Sequence, residues 1–311
     1  MKVVFMGTPD FAVPPLEYLI RGKYNIACVV TQPDKPKGRG NRLAMSPVKE
    51  KALEYKIPVE QPVSIRKDTA FKEKLKLMEP DIIIVAAFGQ ILPSDVLAIP
   101  KYGCINIHAS LLPKLRGAAP INWAIINGED KTGITTMFMD AGLDTGDILM
   151  QQTTLIGENE TAGSLYDRLK IMGAEMIIKT LKALEGGTLK RQPQDSLKST
   201  YAPMLKKDTG RIMWENSSIQ IKNLVRGTNP WPAAFTTING MKLKVWETDL
   251  ELGSAEFKDP GTIWKIDKCG IHVHAGYGGI LIKQVQAKNG KRIDAYSYTL
   301  GHHIDTGTVL E

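Results

Sequence analysis

The segment 81–87, Asp-Ile-Ile-Ile-Val-Ala-Ala, narrows the possible folds more than any other part of the chain. A half-buried strand alternates apolar and polar residues, whereas a continuous apolar run suits a strand covered on both faces, as in a parallel sheet clad with helices. Its neighbours fit that context. Apolar runs at 3–6 and 26–31 alternate with helix-like stretches at 13–20, 47–56 and 69–78, a short extended piece lies at 59–61, and Ser46 stands where an N-cap is needed. Strands alternating with helices predict an α/β fold, a doubly wound Rossmann-like parallel sheet. In such a sheet ligands bind beyond the carboxyl ends of the strands. Those ends fall at Gly7-Thr8-Pro9, at 88–93 after the apolar run, and at His108 to Pro113. No G-x-G-x-x-G follows the first strand and no P-loop is present, so a nicotinamide or flavin dinucleotide is not indicated.

The stretch 103–147 carries the chemistry. Asn106 and His108 alternate with Ile105 and Ile107, so on a strand the two polar groups share one face. An amide nitrogen can donate to a developing oxyanion, and an imidazole can donate a second hydrogen bond or shuttle a proton near neutral pH. Asp144 follows in Gly-Leu-Asp-Thr-Gly-Asp, where Gly142 and Gly146 predict a tight acidic loop. Its carboxylate could hold the imidazolium or act as base toward an incoming amine. The trio fits acyl transfer to an amine, although a single strand histidine is more often a satisfied structural residue than a catalyst.

The rest of the chain reads as scaffold and a second unit. A helix over 118–127 has Pro120 in its first turn, where a missing donor costs little, and a strand follows at 134–139. Leu165, Leu169, Met172, Met176, Leu181 and Leu184 form one stripe of a long helix over 162–185, read as core. Residues 186–210 lack periodicity and are rich in Gly, Pro, Gln, Ser and Lys, the composition of a linker. Beyond them a short helix at 219–226 and strands at 242–248, 261–267, 270–275 and 279–286 suggest a small β-barrel. The expected division is 1–185, a basic linker 186–210, and 211–311.

With 311 residues, 43% hydrophobic and 23% charged, the chain is long enough for two globular domains. Its net charge of +7 suggests an anionic partner, and distribution matters more than the total. Residues 206–311 are close to balanced, so the excess is not concentrated there. Lys35, Lys37, Arg39 and Arg42 cluster in a Gly-rich loop, and Lys190, Arg191, Lys198, Lys206, Lys207 and Arg211 follow the interdomain segment. From composition alone such a loop reads as a solvated, mobile connection. Cys28, Cys104 and Cys269 are far apart and odd in number, read as buried reduced thiols. His272-X-His274 alternates on a strand without acidic company in sequence, and His302-His303 sits near an expected loose tail, so no metal is expected. No basic leader precedes the strand at 2–6 and no run has the length of a membrane span, so a soluble cytoplasmic protein, with no membrane partner, is the expectation.

The run Ser110-Leu111-Leu112-Pro113, preceded by Asn106-X-His108 and followed by Asp144 in its acidic loop, resembles the signature of the folate-dependent formyltransferases. MGTPDFAVPPLEYL at the start, TQPDKPKGRGNRL and NPWP extend the resemblance over nearly all of 1–260, while the last fifty residues match loosely. Within that family the chain resembles the members that formylate methionyl initiator tRNA. The resemblance implies 10-formyltetrahydrofolate as formyl donor, the α-amino group of tRNA-bound methionine as acceptor, and an OB-like barrel as the second domain; a monomer is expected, without a sequence feature behind it. It implies catalysis by Asn106, His108 and Asp144, with folate lying against Phe88, Gly89, Gln90, Ile91 and Leu92 and against the loop from Met139 and Asp140 to Asp144. Ser110, Leu111, Leu112 and Pro113 would shape the site through the main chain. It places RNA on Lys35, Lys37, Arg39 and Arg42, on Lys206 and Lys207, and on one face of the barrel. Family members acting on glycinamide ribonucleotide or amino sugars would share the chemistry but not the acceptor. A non-catalytic RNA-binding module is the other class, disfavoured because the three catalytic side chains are intact.

Overall fold

The computed structural model describes residues 1–37, 42–251 and 259–311. It forms two units, one of 1–118, 132–154 and 166–202, the other of 119–131, 155–165 and 203–311.

The first unit is built on a sheet that has seven strands among the described residues. Their spatial order is Ile148–Leu155, Lys131–Phe138, Cys104–His108, Ile82–Ala86, Lys2–Gly7, Asn25–Val30, Val59–Glu60. The apolar run occupies the fourth place and all five residues of Ile82–Ala86 are buried, as a strand covered on both faces requires. It runs parallel to Lys2–Gly7 and to Cys104–His108. The strand Lys131–Phe138 is reversed and pairs antiparallel with Cys104–His108, placing Thr135 opposite His108 and Met137 opposite Asn106. A doubly wound sheet with a reversed strand beside Cys104–His108 is therefore the architecture.

One face of this sheet, carrying Val4, Met6, Val30, Ile83, Val85 and Cys104, packs against Phe71, Leu75, Val96, Phe88 and Leu92. Helix starts are capped as the sequence demands: Ser46 accepts from the Lys49 N–H before Pro47–Glu54, and Asp68 from the Phe71 N–H before Thr69–Leu77. The crossover between Ile82–Ala86 and Cys104–His108 carries only the four-residue helix Ser94–Leu97. That short roof leaves Asn106, on the same face as Cys104, half-buried. The long helix Ala162–Glu185 has the expected bounds, and its Gly173 has room for no side chain, a Cβ there coming within 2.9 Å of Ile107.

Residues 188–202 lie on the first unit. Gln192 bridges to Ile148, and Tyr201–Ala202 forms a parallel pair with Arg116–Gly117. In the second unit Ser217 and Gln220 form a capping box for Ser218–Gly227. The antiparallel sheet runs Ala234–Ile238, Met241–Glu251, Gly279–Ala287, Gly270–His274, Ile263–Asp267, with Ile293–Asp294 pairing beside Gly279–Ala287. Its two outer strands are bridged by 308–311. Glu311 and Thr237 exchange both backbone hydrogen bonds, the Ile263 N–H donates to Thr308 O, and the Leu310 N–H donates to Gly261 O.

Three expectations need correction. The tail is not loose: Ala295–His302 is a helix capped by Asp294, and Tyr298, Ile304 and Leu310 join the core with Trp214, Ile263 and Val273. Cys269 is exposed, because it falls in the turn between Ile263–Asp267 and Gly270–His274, whereas burial pushes the Cys28 and Cys104 thiols up to about 12. His272 does have acidic company, supplied by other strands of the sheet: Nδ1 lies 2.7 Å from Glu251 Oε1, at the end of a strand one place removed, and Nε2 lies 3.1 Å from Asp267 Oδ1 on the adjacent strand. Hydrogen bonding to Lys265, and then to His272, holds the Asp267 carboxyl well below the usual carboxylate range. No group of three or more His, Cys, Asp or Glu arranged to hold a metal occurs among the described residues, and no helix there is long and apolar enough to cross a membrane.

Leu310 is 3% exposed in the segment that bridges the outer strands. Leu310→Ala is expected to cost about 2–5 kcal/mol, read as a lower urea midpoint for the second unit in the full chain.

Candidate active site

Two members of the predicted trio meet at the end of Cys104–His108. His108 is buried at 5% exposure and its Nδ1 lies 3.7 Å from Asp144 Oδ2, inside ion-pair range and just beyond a hydrogen bond. Its Nε2 sits 3.0 Å from the carbonyl oxygen of Leu115. A carbonyl only accepts, so Nε2 carries the proton, and in the neutral ring Nδ1 is a bare lone pair turned toward the carboxylate. Protonation of Nδ1 converts this contact into a buried ion pair. Asp144 Oδ2 is in turn held by the Gly117 N–H at 2.8 Å.

Asn106 stands two residues earlier on the same strand face, and among the described residues its amide has no hydrogen-bond partner. It is a donor available to a ligand. Because Nε2–H is engaged by Leu115, the amide of Asn106 is better placed than His108 to meet an oxyanion, and the ring is better placed to take a proton at Nδ1.

The Ser110-Leu111-Leu112-Pro113 turn is held by a threonine of the reversed strand. Thr135 Oγ1 donates to Ser110 O at 2.6 Å and accepts from the Leu112 N–H at 3.2 Å, while the Gln151 amide donates to Leu112 O and to Thr135 Oγ1. Ser110 Oγ donates to Lys114 O, so its side chain tightens the turn. Of the residues expected at folate, Phe88 and Leu92 are buried and Met139 packs against the same cluster, whereas Gly89 and Asp140 are exposed and Ile91 is 77% exposed. The side chains of Gln90 and Asp140 serve the loops: Gln90 accepts from the Ile65 N–H and donates to Pro62 O, and Asp140 accepts from the Gly142 N–H and the Thr145 hydroxyl. A cleft of 460 Å³ touches Met139 and is lined also by Leu97, Cys104, Phe138 and Arg191, but it excludes Asn106, His108 and Asp144.

Of the residues expected at RNA, Lys35, Lys206 and Lys207 are exposed. Lys35–Lys37 and Arg42–Ala44 pair as an antiparallel hairpin with Lys37 opposite Arg42, and Arg39 lies outside the described residues. Sequence reasoning missed Leu115, Gly117, Thr135 and Gln151. Their contributions are a carbonyl, an N–H, and two side chains that tie backbone, none of which leaves a periodic or charge signal. The glycine at 117 after Leu-Arg was the one visible hint of an unusual turn.

The model of the formyl transferase family matches residues 1–181, and that of its C-terminal domain matches 204–303. The methionyl-tRNA formyltransferase of Acetivibrio thermocellus is 52% identical over 310 residues, covering 100% of this chain and 99% of the relative. That of Clostridioides difficile is 53% identical and covers both chains in full. Among solved structures, an N-formyltransferase from Helicobacter canadensis in complex with folinic acid and dTDP-3-aminofucose aligns with a TM-score of 0.70 at 20% identity, over 91% of this chain and 98% of that one. That last likeness is one of fold.

Gly117 adopts φ +113, and a Cβ there would lie 2.7 Å from the Tyr201 ring and 2.8 Å from Ala202 O. Gly117→Ala is expected to destabilise the first unit by about 1–3 kcal/mol and to shift Asp144 away from His108, checked by chemical denaturation and by a structure of the variant.

Proposed function

We propose that this chain, which belongs to the formyl transferase family, transfers a formyl group from 10-formyltetrahydrofolate to the α-amino group of methionine carried by initiator tRNA. Similarity to curated methionyl-tRNA formyltransferases along the entire chain, catalytic and C-terminal portions alike, carries the reading. The bound folate would supply a formyl group activated on nitrogen, with a stable amine as leaving group.

The residues present fit that donor. The loops 88–92 and 139–144 offer exposed main chain around Gly89, Asp140 and Gly142, suited to the donor and acceptor edge of a pterin. Ile91, and Leu143 at 52% exposure, offer apolar surface that a ring system would cover.

In the reaction the amine attacks the formyl carbon and the carbonyl oxygen becomes an oxyanion. Asn106 donates to that oxygen, a hydrogen bond that strengthens as charge develops. The proton lost by the amine passes to Nδ1 of His108, directly or through a water, and the Asp144 carboxylate stabilises the imidazolium. The bond from the formyl carbon to the folate nitrogen then breaks, its electron pair stays on that nitrogen, and the proton held by the pair returns there. No covalent enzyme intermediate is needed, which agrees with a site whose polar side chains are amide, imidazole and carboxylate.

The exposed Lys206 and Lys207 and the basic hairpin of Lys35–Lys37 and Arg42–Ala44 are assigned to the tRNA. A translation substrate supports a cytoplasmic reading, and the chemistry proposed calls on no metal.

Labelled 10-formyltetrahydrofolate offered together with charged initiator tRNA, free methionine, glycinamide ribonucleotide and an amino-sugar nucleotide tests acceptor and chemistry together. Label is expected on the tRNA alone. Asn106→Ala is expected to lower kcat by about 10²–10³-fold, and Arg42→Ala to raise KM for tRNA with little change in kcat. Label on a small acceptor would overturn the RNA reading, and full turnover by Asn106→Ala would overturn the assignment of the oxyanion donor.

A further inference from the structure

Residues 192–202 look like a linker in sequence, yet they reach the reactive pair from behind. Thr200 Oγ1 accepts the Leu115 N–H at 2.8 Å, and the Arg116 N–H donates to Thr200 O at 2.9 Å. The amide of Gln194 is fully used: Nε2 donates to Asp144 O at 2.8 Å and Gly146 O at 2.7 Å, while Oε1 accepts from Arg116 Nε and Nη2. One short segment thus holds backbone on both sides of the pair.

The backbone it holds is strained. Leu115 has φ +58 and Asp144 φ +52, a region that side chains other than glycine rarely adopt and that persists only where the surroundings enforce it. At Leu115 the enforcement is a pair of ties, N–H to Thr200 and C=O to His108. At Asp144 it is the carbonyl tied to Gln194 and the carboxylate tied to the Gly117 N–H. Gly117 itself lies in the strand pair with Tyr201–Ala202. Each strained residue acts on one member of the pair, and each is fastened by one side chain of the same segment.

We propose that Thr200 and Gln194 are positioning residues for the transfer reaction. Thr200 aims the Leu115 carbonyl, which keeps the proton on Nε2 of His108 and leaves Nδ1 open to Asp144. Gln194 fastens the loop that keeps Asp144 within reach of that nitrogen. The inference rests on the catalytic assignment of His108 and Asp144 made above. Neither residue touches substrate; both act through backbone that does the aiming.

Thr200 is exposed, so removing its hydroxyl opens no core cavity. The test uses the full chain as Thr200→Val, which keeps the branched shape, Thr200→Ser, which keeps the hydroxyl, and Gln194→Met. Readouts are kcat and KM for both substrates, the thermal midpoint, and NMR of ring-labelled histidine to report the tautomer of His108. Thr200→Val is expected to lower kcat about 10–100-fold with both KM values within about twofold, and to move His108 from a single Nε2–H tautomer to a mixture. Thr200→Ser is expected to restore both. Gln194→Met is expected to lower kcat by a similar factor, and it decides the matter if Thr200→Val does not fold. Wild-type kcat in Thr200→Val or Gln194→Met, or an unchanged tautomer with equal losses in the Val and Ser variants, would overturn the proposal. Asp144→Asn, assayed alongside, separates the two levels: full turnover there sinks the catalytic assignment itself, whereas its loss beside an unaffected Thr200→Val sinks only the positioning role.

Discussion

The contact between His108 Nε2 and the Leu115 carbonyl, 3.0 Å long, determines what the site can do. Since a carbonyl offers no proton, the contact decides which ring nitrogen is protonated, and the other nitrogen is turned toward Asp144 by default. An imidazole tied at neither nitrogen would be free to choose the opposite tautomer, which would aim an N–H at Asp144 and, in the proposed reaction, leave no acceptor there for the amine's proton. The chemistry at one strand end therefore depends on a backbone conformation seven residues later, and that conformation is a left-handed one at a leucine. Stability has been given up locally to fix a proton.

Delivery of Asp144 depends on the reversed strand. Lys131–Phe138 runs antiparallel to Cys104–His108, so it ends beside Cys104, at the far end of that strand from His108, and the Met139 N–H donates to Cys104 O. The acidic loop has to return along the strand. It does so as a closed loop, pinned at its base by the hydrogen bond from the Phe138 N–H to Asp147 O. Gly146 is required there, since a Cβ would lie 1.9 Å from Phe138 O. Asp140 shortens the loop by accepting from the Gly142 N–H and the Thr145 hydroxyl. A parallel strand at this position would have put its following loop at the His108 end directly, with no return and no need for these ties.

Features that arise from periodicity were legible in the sequence. The buried run Ile82–Ala86, the shared face of Asn106 and His108, the helix Ala162–Glu185 and its core stripe all follow from spacing alone. Features that arise from single long-range hydrogen bonds were not. Residues 188–202 have linker composition, and only the contacts of Gln192, Gln194 and Thr200 show that they belong to the first unit. The helix Ala295–His302 buries Ala295, Tyr298 and Thr299 but offers no regular apolar stripe, so its sequence resembled a loose end. His272 finds its carboxylates on other strands of the sheet, at Glu251 and Asp267, where sequence spacing gives no indication of company.

Because a fold does not by itself choose a substrate, the acceptor has to be selected by surfaces other than the strand end that does the chemistry. In the proposed reaction Asn106, His108 and Asp144 act only on the amine and the formyl group. Selection then falls to groups that a charged tRNA would meet and a small amine would not. Lys206 and Lys207, both exposed, lie a few residues beyond Ala202, the end of the segment that fastens the His108–Asp144 pair.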